Sequence, residues 1–397
     1  MIKKILFVDD EVQILRSLNR IFVGSDFDIV LAQSGREALD ILEHEPIGLI
    51  VSDMRMPYMN GHELLQTVRA KYPLTMRVIL SGYAQEKEIF RALQDGSAML
   101  YLLKPWDNDQ LKAIINRLFS AAELLHNDKL LVFANSLASL PTLSSIYRQL
   151  WDLIAHDADL KQIASVIEED PATAAKILHI VNSAFYSIRT GSIWKAVTYL
   201  GLSNLQSIIL STLVLDSEQE RQSCLDNAVV WQHASLTNKL TTAIYSQLLQ
   251  EKIPDDAATA GLLHNVGRIL LMSACQADEE EIKNGIACRL STAYAAECSH
   301  LGFSHQEAGG YLLNLWGLPQ SLVEVALFHH IPLDSQVSDK KLLSVVHIAR
   351  YHAWRLLDSA EVPVLDEHCF VFLGIDAAEC QILSDSVGND FNRRCCV

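Results

Sequence analysis

Over roughly the first 120 positions, apolar residues fall in short unbroken runs: "ILFV", "DIVLA", "GLIVSD", "RVILSG" and "MLYLLK". Amphipathic stretches such as "EVQILRSLNRIF" and "GREALDILEHE" separate them. A strand buried on both faces reads as a continuous apolar run, and strands alternating with helical patterns imply crossover connections. The pattern therefore predicts an α/β doubly wound five-stranded parallel sheet. From Asp107 to about Leu140 the apolar spacing of Leu111, Ile114, Leu118, Ala121 and Leu125 predicts the last helix of this domain running on as a connector. It spans too few heptads for a coiled coil. Beyond about residue 130 only helical patterns recur, so the rest is expected to be all-α. Asp170 before Pro171 reads as a helix cap and first turn. The expected divisions are 1–122, a helical linker 123–136, a helical domain 137–330 and its C-terminal extension 331–397.

A chain of 397 residues, half of them apolar, can bury two or three domains, and a charged fraction of 20% argues against wholesale disorder. The net charge of -16, without any Lys/Arg run, opposes nucleic acid as a partner, because a phosphate backbone would meet a repulsive field. "MIKKILFVDDE" ends in three acids that an export segment does not tolerate, and no apolar stretch is long enough to cross a bilayer, so no membrane insertion is expected. All eight cysteines follow residue 220 and none forms C-x-x-C, which fits free thiols in a reducing cytoplasm. Cys395 and Cys396 miss the prenylation position.

Polar residues fall where the apolar runs end: Asp9 and Asp10, Asp53, Ser81, and Lys104 followed by Pro105. Ligands of such sheets bind at the carboxyl ends of the strands. Three carboxylates in one crevice repel unless a cation joins them, and oxygen ligands suit Mg²⁺. A carboxylate can attack a phosphoryl group, a positioned lysine can stabilise the charge, and Ser81 can hydrogen-bond a phosphate oxygen. Tyr101, three residues before Lys104, can change rotamer as Ser81 moves. With "VDDE", "SDMRMPYMNG", "LSGYA" and "LYLLKPW" in order, this segment resembles the receiver domain of two-component response regulators, a flavodoxin-like fold. The resemblance implies Asp53 as phosphoacceptor, Asp10, Asp53 and the Arg55 carbonyl as Mg²⁺ ligands, and Asp9 acting through water. It implies Ser81, Tyr101 and Lys104 as switch residues, a cis Lys104–Pro105 peptide and a sensor histidine kinase as partner.

The helical half carries "SLPTLSSIYRQLWDLI", "IEEDPATAAKILHIVNSAFYS", "AVTYLGLSNLQSIIL", "WQHAS", "GLLHNVGR", "GFSHQEAGGYLLNLWGLP" and "ALFHH" in order. It resembles the HDOD output domain, an HD-like fold related to HD-type phosphohydrolases. Such hydrolases hold metal with a His, a His-Asp pair and a distant Asp. The matching positions here are His233, His264 with Asn265, and Arg350, while His305, His329 and His330 match further histidines. Asn265 is neutral, Arg350 reverses a charge, and Arg268 replaces a lysine. A degenerate site without metal or catalysis is therefore expected, its imidazoles left in an inherited scaffold, with a weak metal site built only from those histidines as the alternative. The resemblance implies output by binding other signalling proteins, sometimes those handling cyclic dinucleotides, with homodimerisation open. The competing expectation is a receiver-regulated metal-dependent phosphodiesterase. Elsewhere, "NSAFY" (Asn182–Tyr186) reads as a helix end. Trp231 and Trp316 read as core or interface, and "DEEE" (Asp278–Glu281) as a solvated helix start. "FVFLGIDAAECQILSDSV" reads as one packed helix, with "GNDFNRRCCV" fraying after it.

Overall fold

The computed structural model describes residues 2–82, 92, 96–124, 128–136, 149–150, 153, 158–182, 189–213, 228–274, 294, 297–299, 301–357 and 363–395. Two compact units divide the chain, one spanning Met1–Ser139, the other built from Leu140–Asn182 and Ile188–Val397.

In the first unit, β1 (Lys4–Val8), β2 (Asp28–Ala32), β3 (Leu49–Asp53), β4 (Met76–Gly82) and β5 (Leu100–Lys104) form one parallel sheet in the order β2-β1-β3-β4-β5. Strands β1, β3 and β4 are largely buried because α1 (Val12–Ile21), α2 (Gly35–His44), α3 (Gly61–Lys71) and α4 (Asn108–Leu124) supply the apolar cover that parallel strands require, while edge strand β2 is only half-buried. Leu6, Val8, Ile50, Ile79, Leu42, Leu64 and Val68 share one core. Register aligns the carboxyl ends: Val8 opposes Ser52, Asp53 opposes Leu80, and Gly82 opposes Lys104. Ser34 caps α2, and Asn60 with Glu63 forms a capping box on α3. Gly61 opens α3 because a Cβ there would lie 2.1 Å from the Asp53 carbonyl oxygen. In the expected connector, α4 is followed by α5 (Asp128–Ser136); Leu125 lies outside the described residues.

Helices joined by loops and turns are the regular elements of the second unit among its described residues. It comprises α6 (Leu160–Ile167), α7 (Pro171–Val181), α8 (Ile193–Leu213, interrupted at Gly201) and α9 (Ala228–Ala243) with a π-helical turn Ile244–Leu248. There follow α10 (Ala260–Leu263), α11 (Val266–Ala274), α12 (His305–Leu315), α13 (Gln320–Phe328), α14 (Lys340–Leu356), α15 (His368–Leu373) and α16 (Ala377–Cys395). Asp170 is buried at the head of α7. It accepts from the Ala172 and Thr173 amides and, at 2.8 Å, from the Trp231 indole, which places Trp231 in the core. Trp316 stacks on His179.

The C-terminal reading needs correction. Instead of one helix with a frayed tail there are two helices. Gly374, at φ 67°, ends α15 in the left-handed region, and Asp376 caps α16 through the Ala378 and Glu379 amides. Helix α16 continues to Cys395, with Phe391 buried under the Lys239 ammonium. Of "NSAFY" only Asn182 is described, binding both Leu178 O and Thr190 O; "DEEE" lies outside the described residues.

Candidate functional site

Three strands deliver charge to one point at the carboxyl edge of the sheet. Asp9 follows β1, Asp53 closes β3 and Lys104 closes β5. The Lys104 ammonium lies 2.6 Å from Asp9 Oδ2 and 2.5 Å from Asp53 Oδ1, so one cation bridges two buried carboxylates. Backbone amides hold the other oxygens: Arg55 N–H donates to Asp53 Oδ2 at 2.6 Å, and Glu11 N–H to Asp9 Oδ1 at 2.9 Å. Asp10 is exposed beside them, and Ser81 is buried at the end of β4. The Lys104–Pro105 peptide is cis. Burial raises the Asp53 carboxyl above the ordinary carboxylate value, against the opposing pull of Lys104. Burial alone would lower Lys104, but its bonds to Asp53 and Asp9 outweigh it and raise its value. One ammonium meets two of the three carboxylates at this edge, and such oxygen donors suit a divalent cation.

The helical unit gathers a second constellation. His264 and Asn265 form the turn between α10 and α11, His305 opens α12, His329 and His330 follow α13, and Arg350 lies within α14. Helix α11 crosses α12 so closely that a Cβ on Gly267 would lie 1.9 Å from the His305 carbonyl oxygen. Ring centroids are 5.2 Å apart for His233–His264, 5.2 Å for His264–His329 and 4.2 Å for His329–His330. His305 Nε2 lies 3.1 Å from His330 Nε2, while His305 Nδ1 donates to Glu297 at 2.7 Å. An Arg350 guanidinium N–H donates to His330 Nδ1 at 3.2 Å, and His233 Nε2 donates to the Arg350 carbonyl at 3.2 Å. His233, His264, Asn265, Arg268, Glu297, His305, His329 and Arg350 are all buried.

Residues 5–116 match the response regulator receiver domain family, and residues 140–332 match the HDOD domain family. The chain joins a response regulator receiver domain to an HDOD domain. Within the receiver, it is 36% identical over 107 residues to the hydrogenase transcriptional regulatory protein HoxA of Bradyrhizobium diazoefficiens, covering 27% of this chain and 22% of that protein. It is 26% identical over 222 residues to an uncharacterised protein of Treponema pallidum, covering 54% of this chain and 42% of that one. The chain thus spans less than half the length of either relative. The solved structure of the MmoQ response regulator from Methylococcus capsulatus aligns with a TM-score of 0.50 at 23% identity, covering 62% of this chain and 98% of that one, a likeness of fold.

Within the receiver domain the structure brings Asp9, Asp53 and Lys104 into direct contact and sets Asp10, Arg55 and Ser81 on the same edge. The Tyr101 side chain lies outside the described residues. Within the helical unit all seven expected positions converge, including Arg350, which lies beyond the stretch that matches the HDOD family. Burial and the nearby Arg268 charge lower Arg350 to about 9. Burial and the Arg350 charge lower His264 to about 3. His233 and His329 are also held well below the usual imidazole value, chiefly by burial. Two participants escaped the sequence reading. Glu297 accepts both the backbone N–H and the Nδ1–H of His305, and His347 donates to the His329 carbonyl at 2.9 Å. Glu297 sits in "AAECSH", which offers no spacing signal.

Proposed function

We propose that the chain is a phosphorylation-controlled response regulator of a two-component system, working in the cytoplasm. The observation that carries this reading is the Asp9–Lys104–Asp53 bridge at the sheet's carboxyl edge. An Asp53 carboxylate oxygen attacks the phosphorus of a sensor kinase's phosphohistidine; the O–P bond forms, the N–P bond breaks, and the histidine nitrogen keeps the electron pair. Lys104 stabilises charge on the phosphoryl oxygens, and Ser81 hydrogen-bonds one of them. Asp10, Asp53 and the Arg55 carbonyl would hold Mg²⁺, with Asp9 acting through water; the hard-oxygen donor set fits that ion. Mg²⁺ supplies charge neutralisation between the carboxylates and the incoming phosphoryl group.

The HDOD domain then acts by protein–protein contact, its partner a signalling protein, cyclic dinucleotide enzymes being one class. A hydrolytic reading draws support from the clustered imidazoles. It is disfavoured because Asn265 and Arg350 stand where carboxylates would bind and polarise a catalytic metal. The test is labelling with a phosphoryl donor and Mg²⁺, followed by partner capture. Wild type is expected to take up phosphate and to change its captured set, while Asp53→Asn does neither. Equal capture by both would sink the switch. Phosphodiester turnover by the full chain that disappears in His264→Ala would favour the enzyme.

A further inference from the structure

The ring nitrogens of the histidine cluster carry information that residue identity does not. His264 Nδ1 lies 2.7 Å from Gly261 O, His305 Nδ1 2.7 Å from Glu297 Oε2, and His329 Nδ1 3.0 Å from Ala326 O. Carbonyl and carboxylate oxygens only accept, so each of these Nδ1 atoms bears the proton and each Nε2 presents a lone pair. His264 Nε2 and His329 Nε2 are buried with no hydrogen-bond partner. Buried acceptors rarely stay unsatisfied in a folded protein. Ligand atoms of His305, His329 and His330 lie within 4.8 Å of one another, and the His305–His330 Nε2 pair is 3.1 Å apart. Two imidazole nitrogens on one tetrahedral ion, each bonded at about 2.0–2.1 Å, stand roughly 3.3 Å apart. Metal-ligating histidines characteristically give their second N–H to a carboxylate or carbonyl, as His264, His305 and His329 do and His330 does not.

We propose that His305, His329 and His330, with His264 as a fourth donor, bind a divalent transition-metal ion through Nε2 in an all-imidazole site that lacks any carboxylate ligand. Imidazole-only donors select borderline ions such as zinc, cobalt or nickel over Mg²⁺. Arg350 competes with the ion. A guanidinium can only donate, so its contact makes His330 Nδ1 an acceptor and leaves the proton on Nε2, pointing at His305. Binding the ion moves that proton to Nδ1 and ends the Arg350 contact. The site therefore ties the α10–α11 turn to the start of α12 and the end of α13, and its occupancy is felt in α14. The sequence expectation of a metal-free domain rested on Asn265 and Arg350; ring orientation and the orphaned lone pairs weigh against it. Nothing in this site depends on Asp53 accepting phosphate.

The test uses the tag-free full chain, stripped with chelator and titrated with Co²⁺ in excess Mg²⁺, which occupies the oxygen-donor receiver site. One Co²⁺ per chain with the visible bands of nitrogen ligation is expected. His305→Ala and His329→Ala remove the bands, and Glu297→Gln weakens binding about 10–100-fold, the range for losing a partner of a ligating histidine. Arg350→Gln removes the competing charge and is expected to tighten binding at least about tenfold, an effect misfolding cannot mimic. A wild type without nitrogen-ligated Co²⁺, or bands unchanged in His329→Ala, overturns the proposal. If the alanine variants fail to fold, Arg350→Gln decides: tighter binding supports the site, and unchanged or weaker binding overturns it.

Discussion

Lys104 bridges Asp9 and Asp53, which lets them share one buried edge. Lys104→Ala leaves two buried carboxylates facing each other and removes the charge that would meet a phosphoryl group. Uptake of labelled phosphate on Asp53 is expected to slow by about 10²–10³, the usual loss for one positioned electrostatic donor. His352 makes the opposite kind of prediction, about acid. It is buried in α14 with neither ring nitrogen partnered, and burial lowers its value from 6.5 to about 4. The unfolded chain therefore binds the proton first. The contribution to stability is complete above about pH 6.5 and is lost as pH falls toward about 4. His352→Gln is expected to flatten the decline in urea midpoint across that window, by up to on the order of 3 kcal/mol. An unchanged acid profile would contradict this.

At the scale of elements, two glycines govern the sites. Gly61 starts α3 against the Asp53 carbonyl, and Gly267 lets α11 press on α12 at His305. Gly61→Ala must push α3 away from the end of β3. An overpacking loss of about 1–3 kcal/mol and slower phosphorylation of Asp53 are expected together, read by denaturant midpoint and label uptake. Asp170→Ala removes the α7 cap and strands the Trp231 indole, for a loss of about 2–4 kcal/mol. At this scale much was legible beforehand. Unbroken apolar runs marked the strands because a parallel sheet leaves neither face wet, and Asp170–Pro171 marked a helix start because a carboxylate satisfies free amides there. The break of "GLLHNVGRILL" at His264–Asn265 into α10 and α11, and the left-handed stop at Gly374, were not legible. Both depend on packing against other helices, which a periodic pattern does not encode.

For the whole molecule, the prediction is coupling: full-length wild type, incubated with a phosphoryl donor and Mg²⁺, captures a different set of partners from Asp53→Asn. Identical sets would mean that the two domains work independently. No helix among the described residues is long and apolar enough to cross a membrane.

The sequence by itself determined the kind of each domain and the chemistry available at the strand ends. Apolar periodicity dictates which faces must be buried, and short-range order along the chain sets strand-end residues on one edge. The tertiary structure alone decided which oxygen of Asp53 meets Lys104, that Glu297 orients His305, and which nitrogen of each buried imidazole is left with an unshared pair. Those facts depend on directions set by residues as distant as Lys104 from Asp9 and Arg350 from His233, which meet only after the chain has folded.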